Sequence, residues 1–181
     1  VALIAKNLSV QMGVATRAAH AVTPDALAAL LEGRHFWVLR TPEGFARART
    51  MFNRAVALDP EWAPAHAALA NLEAIEASYV KGAGGAAAAQ FQVAEQAAKR
   101  AIQLDPTLGE PYAALGKIAM EAGRAAEATD YFRRALALEP NLADAHISLG
   151  TALAGAYELC ANGPGVRPDS RRYPQLVGHG S

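Results

Sequence analysis

The chain has 181 residues, 52% of them hydrophobic, and its 17 basic and 17 acidic side chains give a formal net charge of zero. This length suits one domain of ordinary size, and the balanced charge argues against a basic nucleic-acid-binding surface. The single cysteine, Cys160, can form neither an internal disulfide nor a zinc site on its own.

The first predicted element is a helix within residues 1–22. A helical stripe of apolar residues supports it: Val1, Ile4, Ala5, Leu8 and Met12. Because the stripe starts at the first residue and no Met precedes it, we expect a piece of a longer protein that begins inside a helix. The sequence contains no apolar run long enough to span a bilayer. Because no basic region precedes the first apolar residues, we expect no signal peptide in it.

Three later segments share the pattern Arg-Ala-x-x-Leu-acid-Pro, and they end at Pro60, Pro106 and Pro140. These prolines are spaced by 46 and 34 residues, which indicates an internal repeat of helical pairs. In the first unit, Thr-Pro at 23–24 and at 41–42 predicts two helix starts, since Thr caps a helix and Pro suits its first position.

The second unit is about twelve residues longer than the third, and the extra residues fall at Tyr79–Gln90. This stretch contains a glycine-rich break at Gly82–Gly85. Because glycine ends helices and provides flexible connections, we predict an insertion between the two helices of the second unit.

The unit from Gly109 to Pro140 resembles the tetratricopeptide repeat (TPR). The matching positions are Tyr112, Leu115, Gly116, Ala128, Phe132, Ala135 and Pro140, whereas Ala119 stands where the family has Tyr. Small residues let two helices approach, aromatic residues fill the wider gaps, and proline closes the repeat. The resemblance implies an all-α fold, an α-α superhelix (a right-handed TPR solenoid) of about three and a half repeats.

The other units match less fully. The second has His66 where an aromatic is expected and Ala98 at the place of Phe132, so we expect weaker packing there. Residues Asn141–Leu159 are predicted to form the first helix of a fourth repeat. We therefore divide the chain into a preceding helix (1–22), a repeat array (23–160), and a disordered tail or artificial sequence end (161–181).

In TPR arrays the first helix of each pair lines a concave groove where partner peptides bind. The groove residues predicted by periodicity are Arg34, Trp37, Asn71, Glu110, Lys117, Glu121, Asp144 and Thr151. The resemblance implies that Arg34, Asn71 and Lys117 occupy places that in some members clamp a peptide carboxylate. The acidic groove residues oppose an anionic ligand, so a solvated groove is the favoured interpretation.

Two tryptophans need separate interpretations. Trp62 is expected to be a core wedge at the joint between repeats. Trp37 follows Phe36 directly, and adjacent helical residues cannot share one face. One of this pair should therefore be partly exposed, and Trp37 is either a packing residue or a binding hot spot.

The predicted function is a protein–protein interaction module for a partner protein or peptide, with no cofactor, no metal and no nucleic acid bound by this region. A finer resemblance, carried by Gly33–Phe36, Thr41–Gly44 and Leu58–Ala70, is to the TPR regions of bacterial winged-helix or adenylate-cyclase-linked regulators. It implies a fragment of a signalling protein, cytoplasmic, or periplasmic if the regulator is membrane-anchored.

Self-association and catalysis are the two alternatives to this predicted function. An uncapped fourth repeat could form a homodimer through Ala145, Leu149 and Leu153. Catalysis is not expected, because the five histidines lack the HExxH spacing of a zinc site, Cys160 has no nearby base in sequence, and the glycine-rich stretch lacks the Lys-Ser/Thr of a phosphate loop.

Overall fold

The computed structural model describes residues 21–79 and 85–162, apart from the side chains of residues 85–86 and 156–162. The helix predicted at the N-terminus and the tail predicted after α7 therefore lie almost wholly outside the described residues. The described part contains helices and no strand. They are α1 (Pro24–Val38), α2 (Pro42–Leu58), α3 (Ala63–Tyr79), α4 (Gly85–Leu104), α5 (Glu110–Glu121), α6 (Ala125–Leu138) and α7 (Ala143–Asn162).

These helices form three hairpins, α1/α2, α3/α4 and α5/α6, followed by α7 as the first helix of a fourth. Each hairpin packs on the next, and α3 contacts both α1 and α5. The all-α helical-repeat superhelix predicted from the sequence is confirmed.

The first hairpin begins its helices as the sequence predicts. The Thr23 hydroxyl accepts a hydrogen bond from the Ala26 amide at 3.3 Å, and the Thr41 hydroxyl accepts one from the Gly44 amide at 3.0 Å. In each case a proline follows the threonine. The caps satisfy amides that the first turn of a helix leaves unpaired.

Small residues sit where the two helices of a hairpin cross. A Cβ atom on Gly116 would lie 2.6 Å from the Phe132 ring, and one on Gly33 would lie 2.5 Å from the Phe52 ring. Both rings are fully buried. Only glycine therefore allows the helices to approach this closely over a phenylalanine.

The second hairpin closes the same crossing differently. Ala70 replaces the glycine, Ala98 replaces the phenylalanine, and both are fully buried. One methyl group is added on one helix while a ring is removed from the other. The burial of this crossing therefore gives no sign of the weaker packing that we expected. Ala98 is smaller than the phenylalanine it replaces, and this makes room for Ala70, which is larger than the glycine it replaces.

In the first helix of the second, third and fourth repeats, one side chain near the start of the helix contacts the carbonyl oxygen of the proline six residues earlier. His66 Nε2 lies 2.9 Å from the Pro60 carbonyl oxygen, and His146 Nε2 lies 2.8 Å from that of Pro140. The Tyr112 hydroxyl lies 3.5 Å from the Pro106 carbonyl oxygen. A histidine can therefore replace the expected aromatic because its N–H can donate to the same kind of carbonyl.

The prediction for the longer second unit is wrong in one respect. Residues 87–90, predicted to belong to an insertion between helices, are helical, because α4 starts at Gly85 and runs for 20 residues, against 14 for α6. The preceding α3 has 17 residues, against 12 for α5. The alanine run favours helix so strongly that most of the extra length extends the two helices.

The face predicted for self-association is also partly wrong. Ala145 is fully buried, and Leu149 packs against the core of the third repeat. Of the three predicted residues only Leu153 is exposed, at 44%. The helix turns its Ala145 and Leu149 side toward α6, because this side continues the repeat core.

Candidate functional site

The described part of the chain has a pocket of about 290 Å³ formed by the first helices of the later hairpins. Residues of α3, α5 and α7 line it, together with Arg40 from the turn after α1. The lining residues are Arg40, Ile75, Ser78, Tyr79, Lys117, Met120, Glu121, Asp144, Ile147 and Ser148. The pocket thus contains Lys117, Glu121 and Asp144 from the predicted groove.

Lys117 is a buried cation in this pocket, with 7% of its surface exposed. Its Nζ donates one long hydrogen bond, 3.4 Å, to Ser148 Oγ. Burial lowers the pKa of Lys117; Asp144 counteracts this effect and Arg40 adds to it. An ammonium group has three donors, so Lys117 retains capacity to donate to an acceptor atom that enters the pocket.

Arg40 joins the first repeat to the fourth at the edge of the pocket. Its Nη2 lies 3.0 Å from Asp144 Oδ2, and its guanidinium lies 5.0 Å from the centre of the Trp37 ring. Arg40 has φ 51°, the one positive φ of a non-glycine residue in the described chain. Arg40 directly follows Leu39, the C-cap of α1, where a left-handed residue commonly ends a helix.

A second ion pair joins α1 to α5. Arg34 Nη2 lies 2.9 Å and 3.2 Å from the two carboxylate oxygens of Glu110. Burial raises the pKa of Glu110, Arg34 opposes this shift, and Glu139 adds to it. Two ion pairs therefore connect the first repeat to the third and fourth repeats.

Three predicted groove residues carry buried polar atoms without hydrogen bonds. These atoms are Arg34 Nε, Trp37 Nε1 and Asn71 Oδ1, and within the described residues they are the whole of this class of buried side-chain atom. A buried unpaired polar atom costs about 1–3 kcal/mol. All three atoms belong to residues that groove periodicity predicts.

The structure divides the predicted residues into groups. Lys117, Glu121 and Asp144 meet in the pocket, whereas Arg34 and Glu110 pair with each other. Trp37 is half-buried against the first core, and Asn71 is buried. Thr151 is exposed, and its hydroxyl donates to the Ile147 carbonyl within α7.

Sequence reasoning missed several pocket residues. Tyr79 and Ser78 reach the pocket because α3 is longer than a standard first helix, and Arg40 reaches it from a turn. The extra length of the second unit was visible in the sequence, so it could have indicated that new side chains extend this end of α3. Trp62 packs against the first core as a half-buried residue, in accord with its predicted role.

Metal-binding groups and membrane-spanning helices are both missing from the described residues. No group of three or more histidine, cysteine, aspartate and glutamate side chains there could hold a metal ion. None of the helices in this part of the chain combines the length and apolar character that crossing a bilayer requires.

Comparisons with known proteins support the repeat assignment. The family model described as tetratricopeptide repeat matches residues 109–142, the unit that resembled this repeat in sequence. Among curated proteins, no significant match was found.

Solved TPR structures share the fold at low identity. The Sgt2 TPR domain from Aspergillus fumigatus is 17% identical with a TM-score of 0.59, and the alignment covers 84% of this chain and 97% of that one. The first TPR of Spaghetti (RPAP3), bound to the HSP90 peptide SRMEEVD, is 19% identical with a TM-score of 0.56, and the alignment covers 77% of this chain and 98% of that one. The Arabidopsis OM64 TPR domain is 21% identical with a TM-score of 0.53, and the alignment covers 70% of this chain and 93% of that one.

Proposed function

We propose that the chain is a protein-interaction module that holds an extended segment of a partner protein in the pocket between α3, α5 and α7. The observation that carries this proposal is the buried Lys117 ammonium, which has one long hydrogen bond and donors to spare. A buried cation with unfilled donors reduces stability, and a ligand that supplies an acceptor offsets that loss.

The pocket also offers apolar contact beside this cation. Tyr79 and Ile147 are 68% and 70% exposed, and Ile75 and Met120 complete the apolar lining. Exposed aromatic and aliphatic side chains next to one polar anchor are typical of peptide-binding sites. The pocket therefore suits a segment with an apolar side chain and a free acceptor oxygen.

The charges around Lys117 favour an uncharged acceptor. Asp144 is already paired with Arg40, and Glu121 adds a further acidic side chain to the lining. A ligand carboxylate would be repelled by Glu121, whereas a peptide carbonyl accepts a hydrogen bond without that repulsion. We infer that Lys117 donates to a backbone carbonyl of the bound segment.

The peptide complex of the first TPR of Spaghetti supports the general mode, because that structure has the same fold and holds an HSP90 peptide. It favours the binding of a polypeptide over catalysis by this region.

Peptide selection against the full chain tests the proposal. A displayed library of random peptides is selected on the wild-type chain, and the affinity of a selected peptide is measured by fluorescence anisotropy. We expect Lys117→Gln to weaken binding about tenfold, the equivalent of about 1.4 kcal/mol. Lys99→Gln is the matched control, since Lys99 lies on α4, outside the pocket, with its side chain 62% exposed.

The proposal is wrong if selection yields no peptide, or if the selected peptides bind the wild-type chain and the Lys117→Gln variant equally. An equal loss with Lys99→Gln would also count against it, because the effect would then be one of general charge.

The finer proposal concerns the origin of the chain. The resemblance of Gly33–Phe36, Thr41–Gly44 and Leu58–Ala70 to bacterial regulator sequences supports a docking region of a winged-helix or cyclase-linked regulator in the cytoplasm. Sequencing the gene upstream of Val1 tests it. An in-frame winged-helix or cyclase domain is expected, and an unrelated upstream sequence would refute this origin.

A further inference from the structure

Two cations and one carboxylate share the pocket between α3, α5 and α7. Arg40 Nη2 lies 3.0 Å from Asp144 Oδ2. Lys117 Nζ donates its long hydrogen bond, 3.4 Å, to Ser148 Oγ. All four residues line the pocket. The carboxylate of α7 is therefore held by an arginine of the first repeat, while a lysine with donors to spare lies in the same pocket.

The charge on Lys117 responds to both of these neighbours. Burial is the main cause that lowers the pKa of Lys117, Asp144 opposes this effect, and Arg40 adds to it. Glu121 and the Tyr79 phenol are the other ionisable groups of the lining. The Asp144 carboxylate is thus within electrostatic reach of a second cation.

The fold fixes Arg40 between two helix ends. Its amide donates a hydrogen bond of 3.2 Å to the Trp37 carbonyl, where α1 ends, and the next residue, Thr41, caps α2. Its φ of 51° is the left-handed conformation that commonly turns the chain after a helix. The backbone therefore sets the position of Arg40 before its side chain makes any contact.

The side chain of Arg40 lies over Trp37 on its way to Asp144. Its guanidinium is 5.0 Å from the centre of the Trp37 ring, and this ring packs against the first core. A cation over an indole face is attracted by the ring electrons. Trp37, for which the sequence allows a packing or a hot-spot role, thus supports an arginine that reaches the pocket.

The register of α7 places Asp144 beside the present partner of Lys117. Asp144 lies four residues before Ser148, and residues with this spacing are neighbours on one side of a helix. The Asp144 side chain is 39% exposed and lies in the first turn of α7. Once released by Arg40, the carboxylate can therefore replace the Ser148 hydroxyl as the acceptor for Lys117.

We infer that Arg40 is a positioning residue: by holding Asp144, it prevents an ion pair between Asp144 and Lys117 and so keeps the Lys117 donors available to a bound segment. The consequence for binding rests on the proposed function, whereas the exchange of partners is a property of the chain alone. The first repeat thereby controls a pocket whose walls belong to the second, third and fourth repeats.

Titration of Lys117 by NMR tests the exchange of partners without any ligand. The 13Cε resonance of Lys117, assigned with the Lys117→Gln variant, is followed against pH in the full chain. Arg40→Gln should raise the pKa of Lys117, because Asp144 becomes its partner. In the Asp144→Asn background the same change should have well under half of that effect, since no carboxylate is released there.

Peptide affinity tests the consequence for the pocket. With a selected peptide, Arg40→Gln should weaken binding about fivefold, the scale of an exposed ion pair. Adding Asp144→Asn to this variant should restore the affinity, because Lys117 is then free of the carboxylate. Arg40→Lys should lose less than Arg40→Gln, since its ammonium still holds Asp144 but stacks less well on Trp37.

The matched control is Arg124→Gln. Arg124 is another exposed arginine, paired with Glu127 at 2.8 Å, and it does not line the pocket. Its removal should change neither the titration of Lys117 nor the affinity for the peptide. The comparison therefore separates the position of Arg40 from the loss of one surface charge.

Three results would overturn the inference. Arg40→Gln would leave the titration of Lys117 unchanged, it would act equally in the wild-type and Asp144→Asn backgrounds, or Arg124→Gln would reproduce its effects. Equal action in both backgrounds would mean that Arg40 acts directly on Lys117 or on the peptide. If selection yields no peptide, the proposed function fails, and the titration alone still decides whether Arg40 keeps Asp144 from Lys117.

Discussion

At the scale of single residues, Lys117 connects the stability of the array to its proposed function. Its ammonium is buried beside Ser148 with one long hydrogen bond. Burial is the main cause that lowers its pKa. A residue that opposes folding in this way is expected where function requires it.

The pH dependence of stability tests the state of Lys117. Near pH 7, Lys117→Met should raise the free energy of unfolding by about 1 kcal/mol, because it removes a poorly solvated charge. As the pH rises from the lowered folded pKa toward the ordinary lysine value of about 10.4, the wild-type chain should regain this stability. In that range the unfolded lysine keeps a proton that the folded lysine has lost. Urea denaturation at several pH values measures both effects.

Lys99 is the control, because its pKa is shifted in the opposite direction to that of Lys117. Its hydrogen bond with Glu95 raises the pKa of Lys99, so its contribution to stability is complete below the ordinary lysine pKa and is lost as the pH rises through the folded pKa. The stability advantage of the wild-type chain over Lys99→Met should therefore shrink with pH. The same trend in both variants would contradict the assignment of a buried, destabilising Lys117.

Arg49 has the contrasting role of a stabilising residue. It contacts Glu73 at 2.5 Å and 3.1 Å and also bonds Glu76, which joins α2 to α3. Arg49→Ala leaves the Glu73 carboxylate, 6% exposed, without its partner. We expect a loss of about 3 kcal/mol in the free energy of unfolding.

The matched variant for Arg49 is Arg54→Ala on the same helix, where the arginine is exposed. Its effect should stay within about 0.5 kcal/mol, as is usual for surface substitutions. Equal losses in the two variants, measured by urea denaturation, would show that the partly buried Arg49–Glu73 ion pair contributes no more to stability than a surface arginine does.

At the scale of helices, glycine has opposite effects in α5 and α7. Gly116→Ala should destabilise the chain by about 1–3 kcal/mol, because the new methyl group would overlap the buried Phe132 ring. Gly150→Ala should instead stabilise it by up to about 1 kcal/mol, since alanine favours helix and the surrounding space is open. Urea denaturation of both variants measures the two signs; the same sign at both positions would contradict the packing described for α5 and α6.

The sequence predicted the helix starts and crossings well because these depend on local chemistry. Thr23 and Thr41 cap their helices, and Gly116 lies at a crossing. The extension of α3 and α4 was not predicted, because a glycine-rich stretch indicates a break without giving its length. The strong helix propensity of the adjoining alanines decided where the break ends.

At the scale of the whole molecule, two ion pairs bring distant repeats together. Arg34 pairs with Glu110 and Arg40 pairs with Asp144, so the first repeat contacts the third and the fourth. Periodicity places residues on a helix face but does not show which helices approach across the groove. This is why the sequence predicted the acidic groove residues but not their partners.

The same limit explains the surface of α7. Its apolar residues were visible in the sequence, but the side that faces the core depends on how α7 packs against α6. Ala145 and Leu149 turn inward, whereas Ile147 and Leu153 stay exposed. Once the buried face of α5 is known, the 34-residue repeat shows which positions of α7 are equivalent to it.

The most direct test of the peptide pocket is site-specific photo-crosslinking with a selected peptide. The photoreactive p-benzoylphenylalanine is placed at Tyr79, in the pocket, or at Val93 on α4, which is 46% exposed and outside the pocket. We predict efficient crosslinking from position 79, a strong reduction when Lys117→Gln is added, and little from position 93. Equal crosslinking from both positions, or crosslinking from position 79 that does not depend on Lys117, would contradict a binding site between α3, α5 and α7.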